Sequence, residues 1–180
     1  MMKIVFVGIK HCGKSTFGKS LAKRWDCVFF DSDTELEKAF YQQSGSRCSC
    51  RDIFKILGEE KFREFESEVI RSLISGEQTV IALGGGAVSN PFVDVETLRQ
   101  LGHIVWLDVA DEIAYRRVER KGLPPFLAES ADPFRSFCEM NRKRREEFSK
   151  VADTVFRMDT ELEIQEAANL LAETLERKYK

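Results

Sequence analysis

The first residues that could do chemistry are the nine from Gly8 to Thr16, GIKHCGKST. They fit the pattern G-x-x-x-x-G-K-[S/T], in which backbone N–H groups surround phosphate oxygens at the start of a helix. Lys14 would reach the β- and γ-phosphates of a nucleoside triphosphate, most simply ATP, and the Ser15 hydroxyl would hold Mg²⁺. The other residues predicted to bind the nucleotide are Gly8, Cys12, Gly13 and Thr16.

Two carboxylates, Asp31 and Asp33, end the apolar run FFDSD. In a continuing strand, residues two apart share a face. One carboxylate could then bind Mg²⁺ through water, while the other accepts a hydrogen bond from a substrate hydroxyl and acts as its base. The alternative is a helix start, with Asp33 as the N-cap and Asp31 in solvent. The spacing alone leaves both interpretations open.

Two arginines fit an anionic substrate. Arg63 and Glu66 are three residues apart in FREFE, so a helix would let the glutamate brace the guanidinium toward a carboxylate. A surface ion pair is the alternative. Arg144 falls on a helical face that is otherwise apolar, so it either points into a polar site or reaches out to solvent.

Three consecutive glycines, in ALGGGAV, follow another apolar run. They weaken a strand and offer no side chain to pack, and close approach of a ligand to the backbone would justify them. A plain turn is the alternative.

Short apolar runs alternate with helix-like runs along the chain. The strand-like runs span 3–8, 27–31, 79–84, 103–109 and 153–158, and the helix-like runs span 14–25, 33–42, 58–75, 91–101, 111–121, 133–150 and 160–178. This alternation predicts an α/β fold with a five-stranded, mostly parallel sheet and helices on both faces. Ligands of such sheets bind beyond the carboxyl ends of the strands, where the three motifs above lie.

Composition narrows the class of protein. The chain has 180 residues, 43% hydrophobic and 32% charged, which fits one folded domain. A net charge of -2 argues against a nucleic-acid partner, and no apolar run suits a membrane span or a signal peptide. We therefore expect a cytoplasmic monomer whose five cysteines are reduced. Cys12, beside a helix N-terminus, is either a reactive thiol that nucleotide covers or a buried, inert one.

Taken in order, the segments GIKHCGKST, FFDSD, DIF, GEEKFREFE, LGGGAV and RREEFSKVAD resemble the shikimate kinase family. The resemblance runs through almost the whole chain and implies a P-loop kinase fold with a mobile lid. It also implies transfer of the ATP γ-phosphoryl group to the 3-hydroxyl of shikimate. The single domain, 1–180, would include a substrate-binding subdomain at about 33–62 and a lid at about 116–132.

The resemblance also assigns roles to the acceptor-side residues. Asp31 would contact the metal shell, and Asp33 would bind shikimate hydroxyls and act as base. Arg63 and Arg144 would hold the carboxylate. The residues that would line the substrate pocket with backbone N–H groups are Gly84, Gly85 and Gly86.

The lid departs from the pattern of the family. Where the family carries Arg-Pro-Leu-Leu, this chain reads GLPPFL, with Pro124 in place of the arginine. Arg120 is the best substitute for the missing cation because the nearby glycine and prolines predict a loop there, and Lys121 is second. By the resemblance, Arg117 would lie against the adenine, with residues 158–160 close by.

Two other functions stay open from the sequence. The first is a related kinase for gluconate or a nucleoside monophosphate, since gluconate also carries a carboxylate. The second is a nucleotide-dependent binding or regulatory protein, which the altered lid at Pro124 would allow.

Overall fold

Five parallel strands form one sheet at the centre of the molecule. A computed structural model of the chain describes residues 3–120, 122–160 and 164–178. The strands are β1 Ile4–Val7, β2 Val28–Asp31, β3 Thr79–Ala82, β4 His103–Val109 and β5 Thr154–Met158. They lie in the order β2-β3-β1-β4-β5, and every neighbouring pair is parallel. The predicted sheet is confirmed, with strand ends one or two residues inside several of the predicted runs.

The central strands explain the continuous apolar runs in the sequence. Every residue of β1 and β3 is buried, although successive side chains point to opposite faces of the sheet. Both faces of the central strands are therefore covered, as in α/β proteins. The edge strand β5 instead alternates between partly buried and exposed residues up to Met158.

Nine helices flank these strands in the described part of the chain. They are α1 Lys14–Arg24, α2 Ser32–Ser44, α3 Cys50–Leu57, α4 Glu59–Ser72, α5 Val95–Leu101, α6 Asp111–Arg120, α7 Pro125–Ala128, α8 Pro133–Val151 and α9 Ile164–Lys178. The seven predicted helices are all present, but the one predicted from residue 91 begins at Val95 and the last begins at Ile164. None of them is long and apolar enough to cross a membrane.

Two helices, α3 and α7, were not predicted. α3 has only eight residues and follows a stretch rich in serine and cysteine, and its apolar period, Cys50, Ile53, Phe54 and Leu57, covers just two turns. Its start is nevertheless encoded, because the Ser49 side chain accepts a hydrogen bond from the Asp52 N–H. Gly58 ends the helix, with a φ of 77° that favours glycine.

Apolar side chains form two separate clusters. The larger one surrounds the sheet and includes α1, α8 and α9. The smaller one, here called the small cluster, joins α2, α3 and α4. Its buried members are Leu36, Phe40, Ile53, Phe62, Phe65 and Val69.

Candidate active site

The phosphate loop, Gly8–Thr16, connects β1 to α1 and wraps around the start of that helix. Gly13 caps α1 with a φ of 106°, and no acidic side chain lies in the first turn. The positive end of the helix dipole is therefore left for an anion. The Lys14 ammonium donates hydrogen bonds to the carbonyl oxygens of Gly8, at 2.9 Å, and Ile9, at 3.0 Å. A lysine folded over the loop in this way lies where phosphates would bind.

Asp31 links the end of β2 to the phosphate loop. Its Oδ2 accepts a hydrogen bond from Ser15 Oγ at 2.5 Å, and its Oδ1 accepts one from the Asp33 N–H at 3.1 Å. Asp31 is thus the N-cap of α2, and the expectation of a continuing strand, or of Asp33 as the cap, is wrong. One hydroxyl and one carboxylate suit Mg²⁺, which keeps most of its ligands as water. The described residues contain no group of three or more His, Cys, Asp or Glu side chains arranged so that they could hold a metal ion by themselves.

Asp33 lies in the first turn of α2, against the triple-glycine loop, Gly84–Gly86. A Cβ atom at Gly84 would collide with Asp33 Oδ1, so a larger residue there would displace the carboxylate. Loss of water around the carboxyl group raises its pKa, and the negative charge of Asp31 raises it further, against the opposite effect of Lys14. A carboxylate with a raised pKa is a better proton acceptor than an ordinary aspartate.

Arg63 faces the same glycine loop from α4. Its Nη1 lies 2.7 Å from Glu66 Oε2 and 3.0 Å from the Cβ position of Gly86. Glu66 is only 5% exposed, so the pair is not a surface ion pair. Asn90 completes the support, since its Nδ2 donates to Glu66 Oε2 at 2.9 Å and to the Arg63 carbonyl at 2.8 Å. Sequence reasoning missed Asn90, because neither its type nor its spacing distinguishes it from a turn residue.

Arg144 reaches the loop from α8. Its Nη1 lies 3.6 Å from the Cβ position of Gly85. Removal from water lowers the pKa of this guanidinium, and the positive charge of Arg63 lowers it further. The alternative in which Arg144 extends outward to solvent is therefore excluded. Two guanidiniums that approach the same three glycines form a site for an anion such as a carboxylate.

Comparison with known proteins agrees with this geometry. A family model described as shikimate kinase matches residues 10–176. The chain belongs to the shikimate kinase family. It is 35% identical over 153 residues to a shikimate kinase of Symbiobacterium thermophilum, covering 84% of this chain and 83% of that protein. It is 37% identical over 159 residues to a shikimate kinase of Mycobacterium leprae, covering 88% and 74%.

Solved structures of shikimate kinases share the fold. The enzyme of Bacteroides thetaiotaomicron superposes with a TM-score of 0.80 at 25% identity, over 97% of this chain and 98% of that one. The enzyme of Acinetobacter baumannii, solved in complex with shikimate, superposes with a TM-score of 0.79 at 26% identity, over 100% and 97%. The P-loop kinase fold implied by the resemblance is confirmed.

In this member of the shikimate kinase family, α6 runs from the end of β4 into the segment predicted to form the lid. Arg117 Nη1 donates to the carbonyl oxygen of His11 at 3.3 Å, so α6 lies against the loop. Arg120 is the last residue of α6 and is exposed, and Gly122 follows with a φ of 89°. Lys121, the second candidate for the lid cation, lies outside the described residues. The predicted roles of Arg117 and Arg120 stay predictions.

Cys12 lies in the phosphate loop of this member of the shikimate kinase family, between His11 and Gly13. Its side chain is fully buried, with Sγ 3.8 Å from Lys14 Nζ. The expectation of a reactive, nucleotide-protected thiol conflicts with this burial, and the buried alternative agrees with it. The preceding residue, His11, has a left-handed backbone with a φ of 63°.

Proposed function

We propose that this chain transfers the γ-phosphoryl group of ATP to the 3-hydroxyl of shikimate, giving shikimate 3-phosphate and ADP. The observation that carries the proposal is the convergence of one basic carboxylate, Asp33, and two guanidinium groups, Arg63 and Arg144, on the triple-glycine loop beside the phosphate loop. A substrate with one carboxylate and a nearby hydroxyl matches these groups in charge and number.

One group of residues binds the nucleotide that donates the phosphoryl group. Lys14 and the loop backbone at Gly8, Cys12, Gly13 and Thr16 bind the ATP phosphates. Ser15 and Asp31 would hold Mg²⁺, which supplies positive charge to the β- and γ-phosphates. Arg117 binds the adenine side.

On the acceptor side, Arg63 and Arg144 hold the carboxylate while the backbone of Gly84–Gly86 contacts the substrate. Asp33 accepts the proton of the reacting hydroxyl as the oxygen attacks the γ-phosphorus. Arg120 approaches the phosphates when the lid at about 116–132 closes, and the substrate-binding subdomain spans about 33–62.

We further propose that the protein works as a cytoplasmic monomer on small molecules only. In support, the groups proposed to bind the acceptor all come from one chain, and two guanidiniums beside one short glycine loop suit a single small anion.

The decisive experiment compares ADP release with shikimate, gluconate and AMP in parallel, each with Mg·ATP. We expect turnover with shikimate to exceed turnover with gluconate or AMP by at least about 100-fold. Polar groups of a site that match one substrate are left unpaired when a different substrate binds. Phosphorus NMR of the product should show a phosphate ester on the 3-oxygen. Preference for gluconate or AMP would assign a different kinase activity, and ATP binding without turnover on any acceptor would favour a binding protein.

A further inference from the structure

The phosphate loop contains two lysines with different surroundings. Lys14 is folded inward and donates to two carbonyl oxygens of the loop itself. The side chain of Lys10 is exposed, and it makes no hydrogen bond or ion pair with residues 3–120, 122–160 or 164–178. The left-handed backbone at His11 separates Lys10, which faces outward, from Cys12, which is buried. Lys10 is therefore a cation that the folded chain has not neutralised.

Lys10 lies where the nucleotide side and the acceptor side of the site meet. Its backbone nitrogen is 3.7 Å from the Cβ position of Gly85, the same position that lies 3.6 Å from Arg144 Nη1. This part of the phosphate loop therefore lies against the same glycine loop that Arg63 and Arg144 approach.

In the proposed reaction, the anion left for the Lys10 ammonium group to bind is the phosphoryl group. The two guanidiniums already face each other across the glycines, where a carboxylate would neutralise them. The phosphoryl group must cross from the phosphate loop to the hydroxyl near Asp33, and its oxygens carry negative charge throughout. Fixed positive charge along that path stabilises the transition state more than either ground state.

We propose that Lys10 is a further catalytic residue, whose ammonium group binds the oxygens of the phosphoryl group while it passes from ATP to the acceptor. This inference rests on the proposed phosphoryl transfer. In that step the bond between the γ-phosphorus and the oxygen bridging to the β-phosphate breaks, and its electron pair stays on ADP. A bond forms between the phosphorus and the acceptor oxygen, the hydroxyl proton passes to Asp33, and Lys10 keeps its proton.

Steady-state kinetics of Lys10→Met, Lys10→Arg and the matched control Lys19→Met test the inference. Lys19 is an exposed lysine on α1, one turn beyond the phosphate loop. We expect Lys10→Met to lower kcat about 10- to 100-fold, as for loss of one donor to a transition state. The KM values for ATP and shikimate should change less than about threefold, as for an interaction made only in the transition state. Lys10→Arg should recover most of kcat, and Lys19→Met should match the wild type.

A second readout does not depend on turnover. Aluminium fluoride with Mg·ADP and shikimate imitates the phosphoryl group in transfer, so its affinity should fall in Lys10→Met by the same factor as kcat. Retained ADP binding and an unchanged melting temperature would show that the variant is folded. A kcat within about threefold of the wild type, or a loss confined to the KM for ATP, would overturn the inference. Absence of shikimate turnover in the wild type would instead overturn the proposed function.

Discussion

The surroundings of Asp33 affect its proton affinity and the stability of the fold in opposite ways. Loss of water and the neighbouring Asp31 raise the pKa of this carboxyl group, which suits the general base that we propose. The same surroundings make the charged form costly to keep in the folded chain. The proposed base function is thus obtained at the expense of stability.

Substitution of Asp33 by asparagine separates the two effects. We expect Asp33→Asn to lower kcat at least about 100-fold, because the amide cannot accept the hydroxyl proton. ATP binding should persist, since the phosphate loop binds it independently. Isothermal titration with ATP and steady-state turnover measure both quantities, and turnover within about threefold of the wild type would remove Asp33 from the mechanism.

The difference in melting temperature between Asp33→Asn and the wild type should depend on pH. The raised pKa of Asp33 determines the direction of that dependence. Above the folded-state pKa the wild type carries a poorly solvated charge that asparagine lacks, so the variant melts higher at pH 7. As the pH falls through that pKa, the carboxyl group of the folded wild type takes up a proton. The difference in melting temperature therefore decreases until the pH reaches the ordinary pKa of aspartate, about 4. A difference in melting temperature that stays constant over this range would contradict the assignment.

Asn141 on α8 offers a test of stability that does not involve catalysis. Its side chain is fully buried, and neither its Oδ1 nor its Nδ2 has a hydrogen-bond partner in the part of the chain that the structure describes. Asn141→Leu keeps a similar size and removes both polar atoms. We expect urea unfolding to show a gain of about 1–3 kcal/mol, with Asn141→Asp destabilised as the control. A loss of stability in Asn141→Leu would mean that the amide is satisfied in solution.

At the residue scale, sequence reasoning identified the groups that carry charge in the site. Lysine, aspartate and arginine were found because their chemistry limits what they can do when they follow a strand or lie on an apolar face. Asn90 was not found, because its role depends on contacts with Arg63 and Glu66, residues distant in sequence. The capping by Asp31 was misassigned because one residue decides where a strand ends and a helix begins.

At the scale of elements, one side chain holds α8 against the start of α6. Arg145 Nη1 lies 2.9 Å from both carboxylate oxygens of Asp111, its Nε 3.2 Å from Asp108 Oδ1, and its Nη2 donates to the Val109 carbonyl at 2.8 Å. Arg144, the next residue back, faces the glycine loop instead. These contacts of Arg145, here called the clamp, therefore fix the position of the helix that carries Arg144 to the glycine loop.

Removal of the clamp should affect both stability and acceptor binding. We expect Arg145→Met to lower the free energy of unfolding by about 1–3 kcal/mol, since a half-buried carboxylate loses its partner. The KM for shikimate should rise more than the KM for ATP, because Arg144 shifts while the phosphate loop does not. Arg142→Met is the control, since Arg142 makes only an exposed ion pair with Glu146 at 3.8 Å. Equal effects of both variants would contradict a positioning role.

Length explains which elements were predictable. Long helices such as α8 repeat their apolar face several times, and buried strands read as apolar runs. α7, at four residues, is too short to repeat a face, and α3, at eight residues, repeats its apolar face only once, which is a weak signal. The order of the strands was not predicted either, because adjacency of β1 to both β3 and β4 is a property of the assembled sheet.

At the scale of the whole molecule, the proposed lid would bring positive charge to the nucleotide bound at the phosphate loop. We expect Arg120→Ala to lower kcat about tenfold while ATP affinity changes less than threefold, as for an interaction made mainly in the transition state. Lys121→Ala should have a smaller effect. Arg116→Ala is the control, because Arg116 lies one turn earlier on α6 and its Nε donates to the Glu112 carbonyl at 3.3 Å.

The double variant Arg120→Ala, Lys121→Ala decides whether the lid contributes at all. A kcat within about threefold of the wild type, which corresponds to less than one kcal/mol, would mean that the lid adds no compensating cation. The positive charge that stabilises the transferring phosphoryl group would then come from the phosphate loop.

The small cluster gives the protein two cooperative units of unequal strength. Its six buried side chains hold α2, α3 and α4 together with far less apolar surface than the core around the sheet. Transient opening of this unit therefore costs less free energy than global unfolding. The proposed acceptor would bridge Asp33 on α2 and Arg63 on α4, so part of its binding free energy would go into suppressing the open form of the smaller unit. We therefore expect the affinity for the acceptor to depend on residues such as Ile53 and Phe65, through the local stability of the helices that carry Asp33 and Arg63.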